Sequence, residues 1–258
     1  MKNVLAIAGM TFAMTAGQVQ AGFSVYAISG SETNYSASVA ARNSLTALGH
    51  TVTQGGALAD YSTFDQVWDL RYNTNLNASE QTAMGNYLQG GGRMYLTGEH
   101  SGFDSVRNNS LVSFLNGTGA GPITLTGSVG HATQSITTAG QIVNNPNIFA
   151  NVQFSAARTV AEASSGFLVT ETSTGSGQGS LLGWDFGDIV GKSSARMLVG
   201  FDINMLSNGQ DWIENMSTYL GAGDSAEAVP EPASIAMWSM MGGIGFIVRR
   251  KRKKAIAI

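Results

Sequence analysis

The chain has no cysteine, which excludes both a disulfide framework and a thiol nucleophile. Charge is scarce: Asp, Glu, Lys and Arg make up 12% of the 258 residues. Histidine occurs three times, as His50, His100 and His131. No internal repeat is visible. In place of charge stand Thr, Ser, Asn and 33 glycines, a composition suited to a secreted, loop-rich protein. The formal charge of −3 hides a division, because six of the 14 basic residues lie in 249–254. Residues 22–228 carry seven basic and sixteen acidic residues, a net of −9. Such a body repels phosphate backbones, so nucleic acid is not an expected partner.

The two ends read as sorting segments. Lys2 gives a positive start, residues 4–16 are mostly apolar, and Val19-Gln20-Ala21 places small or modest side chains at a cleavage site. Residues 1–21 are therefore expected to be a signal peptide. The body runs over 22–221 and a small acidic linker over 222–228. Then come Val229-Pro230-Glu231-Pro232, an uncharged apolar run over 233–248, and a basic cluster of Arg249, Arg250, Lys251, Arg252, Lys253 and Lys254. As a helix that run is about 24 Å long at 1.5 Å per residue, marginal for a bilayer unless the basic side chains snorkel. The cluster should stay cytoplasmic and the body should face outward.

Within the body, residues 23–29, 50–53, 64–70 and 93–97 read as strands. Helices are expected from Ser36 to Leu48 and behind Asn77. Asn77 and Glu80 have the spacing of a capping box. A third helix opens near 104–105 and runs to Leu115. The resulting β-α-β-β-α-β-α order predicts an α/β fold with a doubly wound, mostly parallel sheet. After Leu115 the signal weakens. A short strand is expected at 123–126, loop over 144–154, an antiparallel pair at 167–171 and 181–186, and a buried strand at 196–201. Asn208 is read as the cap of a last helix that buries Trp212, Ile213, Met216, Tyr219 and Leu220.

The C-terminal segment resembles the PEP-CTERM sorting signal of Gram-negative bacteria. Pro230-Glu231-Pro232, a single short apolar span and a terminal basic cluster stand in the same order. The resemblance covers about thirty residues. It implies recognition and cleavage by an exosortase after transient anchoring in the inner membrane, with release to the cell surface or beyond. It also implies association with extracellular polysaccharide. A plain tail anchor fits the hydropathy equally well but leaves the Pro-Glu-Pro unexplained. The body more loosely resembles the flavodoxin-like domain of class I glutamine amidotransferases, which carry a cysteine in a G-x-C-x-G elbow after a buried strand. Here Gly98-Glu99-His100-Ser101-Gly102 keeps the glycine spacing and puts His100 where the nucleophile would stand.

Ligands collect at the carboxyl ends of strands in an open α/β sheet, which directs attention to this turn. Glu99, His100, Ser101 and Asp104 crowd there, with Arg107 and Asn108 on the first turn of the next helix. His100 beside Glu99 or Asp104 can act as a general base, or with Asp104 ligate a metal. The plainer alternative has Glu99 and Asp104 accepting backbone N–H groups while Arg107 pairs with one of them. Ser101 does not fit G-x-S-x-G, since Gly98 lies three residues before it. Asp185 or Asp188 could serve a cation site, but in a turn after a strand they are read as solvated turn formers, and His50 is read as structural. His131 lies in a polar loop. No cofactor is expected, and no metal set stands out.

Overall fold

The computed structural model describes residues 22–222 apart from Asp104, Glu162 and Ser164. Residues 1–21, where a signal peptide is expected, and the Pro-Glu-Pro motif, the apolar run and the basic cluster lie outside the described residues. The first half alternates strand and helix: β1 (Ser24–Ile28), α1 (Ser36–Ala47), β2 (Thr51–Gly55), β3 (Gln66–Asp69), α2 (Ala78–Gln89), β4 (Arg93–Thr97) and α3 (Ser105–Thr118). The second half is mostly short strands: β5 (Leu125–Val129), β6 (Ala132–Ile136), β7 (Asn151–Phe154), β8 (Ala157–Ala161), β9 (Phe167–Leu168), β10 (Thr170–Glu171), β11 (Gln178–Gly179), β12 (Leu181–Trp184) and β13 (Arg196–Gly200). Helix α4 (Gln210–Gly221) follows, after a 3-10 turn over Ile203–Ser207.

The main sheet has the order β2-β1-β3-β4-β13-β12-β9. Its first five strands are mutually parallel, and β12 and β9 extend it antiparallel. The fold is thus mixed α/β around a mostly parallel sheet. Parallel strands covered on both faces must be apolar on both, and β4 and β13 are buried almost throughout. Alternate residues feed two cores. Tyr26, Ile28, Met94, Leu96, Met197 and Val199 face α2 and α3, where Met84, Leu88, Leu111 and Leu115 meet them. Val25, Ala27, Trp68, Tyr95 and Leu198 face α1 and α4, which supply Ala41, Leu45, Trp212, Ile213 and Met216.

Local signals explain these helices. In α2 the Asn77 side chain accepts the Glu80 N–H at 3.0 Å, and Glu80 Oε2 accepts the Asn77 N–H at 3.0 Å. This is the reciprocal cap that the spacing predicts. Ser36 does not cap α1; the N-cap residue is Tyr35, with no side-chain bond, and burial of Ala37, Ala41 and Leu45 holds the helix instead. Asn208 does not cap α4 either. Its side chain turns to β7, and Gly209, at φ +103°, separates it from the helix.

The stretch read as weakly structured differs most. Residues 119–180 build two three-stranded antiparallel sheets, β10-β6-β7 and β11-β8-β5. Residues 151–154, expected in a loop, are β7, and the strand expected at 123–126 is β5 at Leu125–Val129. The expected pair at 167–171 and 181–186 forms only in part. β9 pairs β12, but after Val169 the chain leaves the main sheet and β10 pairs β6. Buried Gln134 joins the insert to β12: it donates to Ser180 Oγ at 2.7 Å and accepts from Thr170 Oγ1 at 2.8 Å and Ser180 N at 3.0 Å.

Candidate functional site

The carboxyl ends of β1, β3, β4 and β13 bring together the loops after Ile28, Asp69, Thr97 and Gly200. In the strand order the direction of winding reverses between β1 and β3, which is where doubly wound sheets open a crevice. Here the protein's own groups occupy that place. Glu32, from the loop after β1, is buried and crosses to the loop after β3. Its Oε1 accepts from Asn73 N at 3.2 Å and Thr74 Oγ1 at 3.0 Å, and its Oε2 accepts from Ser31 Oγ at 3.0 Å.

Beneath it lies a buried charge network that was not read from the sequence. Asp69, the last residue of β3, is wholly buried and accepts from two arginines. Arg71 Nε reaches its Oδ1 at 2.8 Å and Arg71 Nη2 its Oδ2 at 2.8 Å, a two-pronged pair. Arg107 Nη2, from the first turn of α3, reaches the same Oδ2 at 3.0 Å. Arg71 Nη1 also binds Glu80 Oε1 at 2.8 Å. Arg107 spends its other donors on the carbonyls of Thr97 at 2.8 Å and Thr74 at 3.0 Å. Burial by itself would raise the Asp69 carboxyl, but Arg107 and Arg71 hold it below the ordinary carboxylate range. Two carboxylates and two guanidiniums balance one another. The oxygens of Asp69 are already used, so it is a poor base or ligand. The signal available in the sequence was an acid closing a short buried strand with an arginine two residues on.

The turn after β4 stands beside this network. Gly98 is there for close packing: a Cβ on it would lie 2.6 Å from Phe201 Cδ1 and 2.8 Å from Asn108 Oδ1. Glu99 is buried and its Oε1 accepts the His100 N–H at 2.8 Å. This is the backbone-accepting role of the plainer alternative. Arg107, which that alternative paired with Glu99 or Asp104, pairs with Asp69. Asp104 itself lies outside the described residues. His100 is half-buried, and its Nδ1 accepts the Gly102 N–H at 2.9 Å, which makes Nε2 the protonated nitrogen of the neutral ring. Nε2 has no partner among the described residues. The ring lies 5.6 Å from Phe103, which is 72% exposed. Ser101 Oγ bonds Ser128 Oγ at 2.7 Å, joining the turn to β5.

The remaining candidates are separate. Asp185 Oδ1 accepts from Arg196 Nε at 2.6 Å and from Phe186 N at 2.8 Å, and Asp188 Oδ2 accepts the Asp185 N–H at 2.8 Å. Both serve the turn after β12. His50 is buried between Phe23 N and Ser217 Oγ. His131 borders an open polar cleft beside β7, and no residue of the turn is among those that line it. Among the described residues no three His, Cys, Asp or Glu side chains converge as a metal site. None of their helices is long and apolar enough to cross a membrane.

No model of a known protein family matches the chain, and no curated protein does. Solved structures do. The N-terminal domain of mmIFT52 is similar with a TM-score of 0.56 at 12% identity, over 78% of this chain and 98% of that one. A thua-like protein from Bacteroides uniformis ATCC 8492 is similar with a TM-score of 0.50 at 13% identity, over 80% of this chain and 94% of that one. What the chain shares with both is the fold, a mixed α/β architecture around a mostly parallel sheet.

Proposed function

We propose that this chain is an exported envelope or extracellular-matrix protein, sorted by a PEP-CTERM-type signal, whose flavodoxin-like body binds rather than catalyses. Pro230, Glu231 and Pro232, the apolar run behind them and the terminal basic cluster support the sorting half of this reading. One observation carries the other half. At the carboxyl edge of the sheet, Asp69, Arg71, Arg107, Glu80 and Glu32 spend their charged atoms on one another and on neighbouring loops. A catalytic site needs groups poised for the substrate, and these are engaged before any substrate arrives.

A second reading has one observation in its favour. His100 is pinned through Nδ1 at the end of a central strand, with Nε2 unpartnered. Under this reading the chain is an amidotransferase-like hydrolase in which His100 is the base acting on water, which requires Nδ1 to release the Gly102 N–H, since in the bonded tautomer Nε2 carries the proton and can only donate.

Full-length chain and its His100→Ala variant, screened against amide, ester and glycoside substrates with and without divalent metal, separate the two. No turnover by either supports binding. Turnover that disappears in an equally stable variant overturns it. For sorting, alanine at Pro230, Glu231 and Pro232 should leave the protein in the inner membrane. Unchanged release would refute the sorting half.

A further inference from the structure

An open cleft of about 580 Å³ lies between β7 and the 3-10 turn after β13, a volume ordinary for small-molecule sites. Its lining is unusual for such a site. Amides and hydroxyls dominate, from Asn151, Gln153, Ser155, Asn204, Ser207 and Asn208, with His131 at the rim. Among the described residues no carboxylate, lysine or arginine lines it, and Phe154 is the one large apolar residue there. The side chains of Gln153, Ser155 and Ser207 have no hydrogen-bond partner among the described residues, and the bonds of Gln153 and Ser155 there use only their backbones.

The walls are fixed before anything binds. Asn208 Oδ1 accepts the Gln153 N–H at 3.0 Å, and its Nδ2 donates to the Gln153 carbonyl at 2.9 Å. Asp202, wholly buried behind the cleft, accepts from Ser155 N and Ala156 N and from Asn204 N. Tyr35 donates to Asn204 Oδ1 at 2.8 Å. Such prior ordering lowers the entropy cost of binding.

The chemistry selects the ligand. A charged ligand finds no counter-charge here, and a flat apolar one finds too little apolar surface. An extended peptide would add to the free edge of β7, the outer strand of its sheet. Asn208 already takes both backbone groups of Gln153 on that edge, which blocks strand addition. What remains is a neutral ligand dense in hydroxyl groups. We infer that this cleft is a binding site for a neutral saccharide, held by the side chains of Gln153, Ser155 and Ser207 against a floor fixed by Asn208 and Asp202. The inference deepens the binding reading of the body and rests on it.

The test uses full-length chain in lauryldimethylamine oxide, a detergent with no sugar headgroup. Cellohexaose and maltohexaose are the neutral probes, oligogalacturonate the anionic one, and a neutral extended peptide the control for strand addition. Binding is read by calorimetry and by saturation-transfer NMR. The expected result is binding of a neutral hexaose that weakens about tenfold or more in Gln153→Ala/Ser207→Ala, with an unchanged thermal midpoint. That variant spares the Asn208 bonds, which use only the backbone of Gln153. Ser207→Trp, which fills the cleft, should abolish binding. Preference for oligogalacturonate or the peptide, or no hexaose binding at millimolar concentration, overturns the inference. Hexaose binding indifferent to both variants overturns the cleft while leaving a binding body. Hexaose bound in the cleft and then cleaved would sink the non-catalytic reading and keep the site.

Discussion

Asn108 reaches back from α3 to Glu99 and takes both of its backbone groups: Oδ1 accepts the Glu99 N–H at 2.9 Å, and Nδ2 donates to the Glu99 carbonyl at 2.5 Å. The amide acts as a one-residue strand partner that carries β4 past its last ladder bond. Both groups are buried, so their loss is not repaired by water. Asn108→Ala should cost about 2–3 kcal/mol. Asn108→Asp should be no milder, because it sets a carboxylate against the Glu99 carbonyl. Urea denaturation of both variants checks this, and an Asp variant as stable as the parent would refute the account.

Asp69→Asn should be among the most damaging single changes. It leaves Arg71 and Arg107 buried with one central charge removed, a loss of about 3–5 kcal/mol. The native Asp69 carboxyl is held below its unfolded value of about 3.9, so its contribution is complete above that value. It is lost as pH falls through the native value. Unfolding free energies measured down through the acid range should therefore decline more steeply in the parent than in Asp69→Asn.

His50 works in a milder range. Burial lowers its native pKa, partly offset by Glu214, so the folded protein prefers the neutral ring. Above the unfolded value of about 6.5 both states are neutral and nothing is lost. As pH falls below it, the unfolded chain takes up a proton that the fold resists, and stability drops. Urea midpoints should fall between pH 7.5 and 5, and His50→Gln should flatten that part of the profile.

Gly98→Ala tests what the turn's first glycine is for. Its Cβ would press on Phe201 and Asn108, so a loss of about 1–3 kcal/mol is expected. Gly98→Ala/Phe201→Leu, which makes room, should recover part of that loss. No recovery would mean that backbone conformation, and not packing, calls for glycine at this position.

The parallel half of the fold was legible because its signals are local. The Asn77–Glu80 cap, the continuous buried runs of β1 and β4, and the glycines after α1 and α2 all lie within a few residues of what they specify. The small sheets were not legible. β5 alternates only between half-buried and exposed positions, and its partner β8 stands some thirty residues away. The site divides in the same way. The crowding of Glu99 and His100 is visible in the chain, but Asp69 and Arg107 are 38 residues apart and become partners only once β3 and β4 pair. The two Asn clamps, Asn108 on Glu99 and Asn208 on Gln153, were missed because a capping asparagine and a clamping one look alike in sequence.

The position of β13 also sets the order in which the molecule can be completed. It lies between β4 and β12 in the middle of the main sheet, yet it is the last strand of the described chain. Until residue 200 is available, β4 presents a bare edge of unpaired N–H and carbonyl groups, and β12 and β9 have nothing to join. Long-range parallel pairing of this kind is slow, and an open edge invites intermolecular pairing while it waits. A nascent chain emerging residue by residue therefore gains little by folding early. The half-made sheet is the hazardous species, and a holding chaperone that keeps β4 covered until β13 arrives should raise the yield of native protein more than any change that strengthens the first four strands.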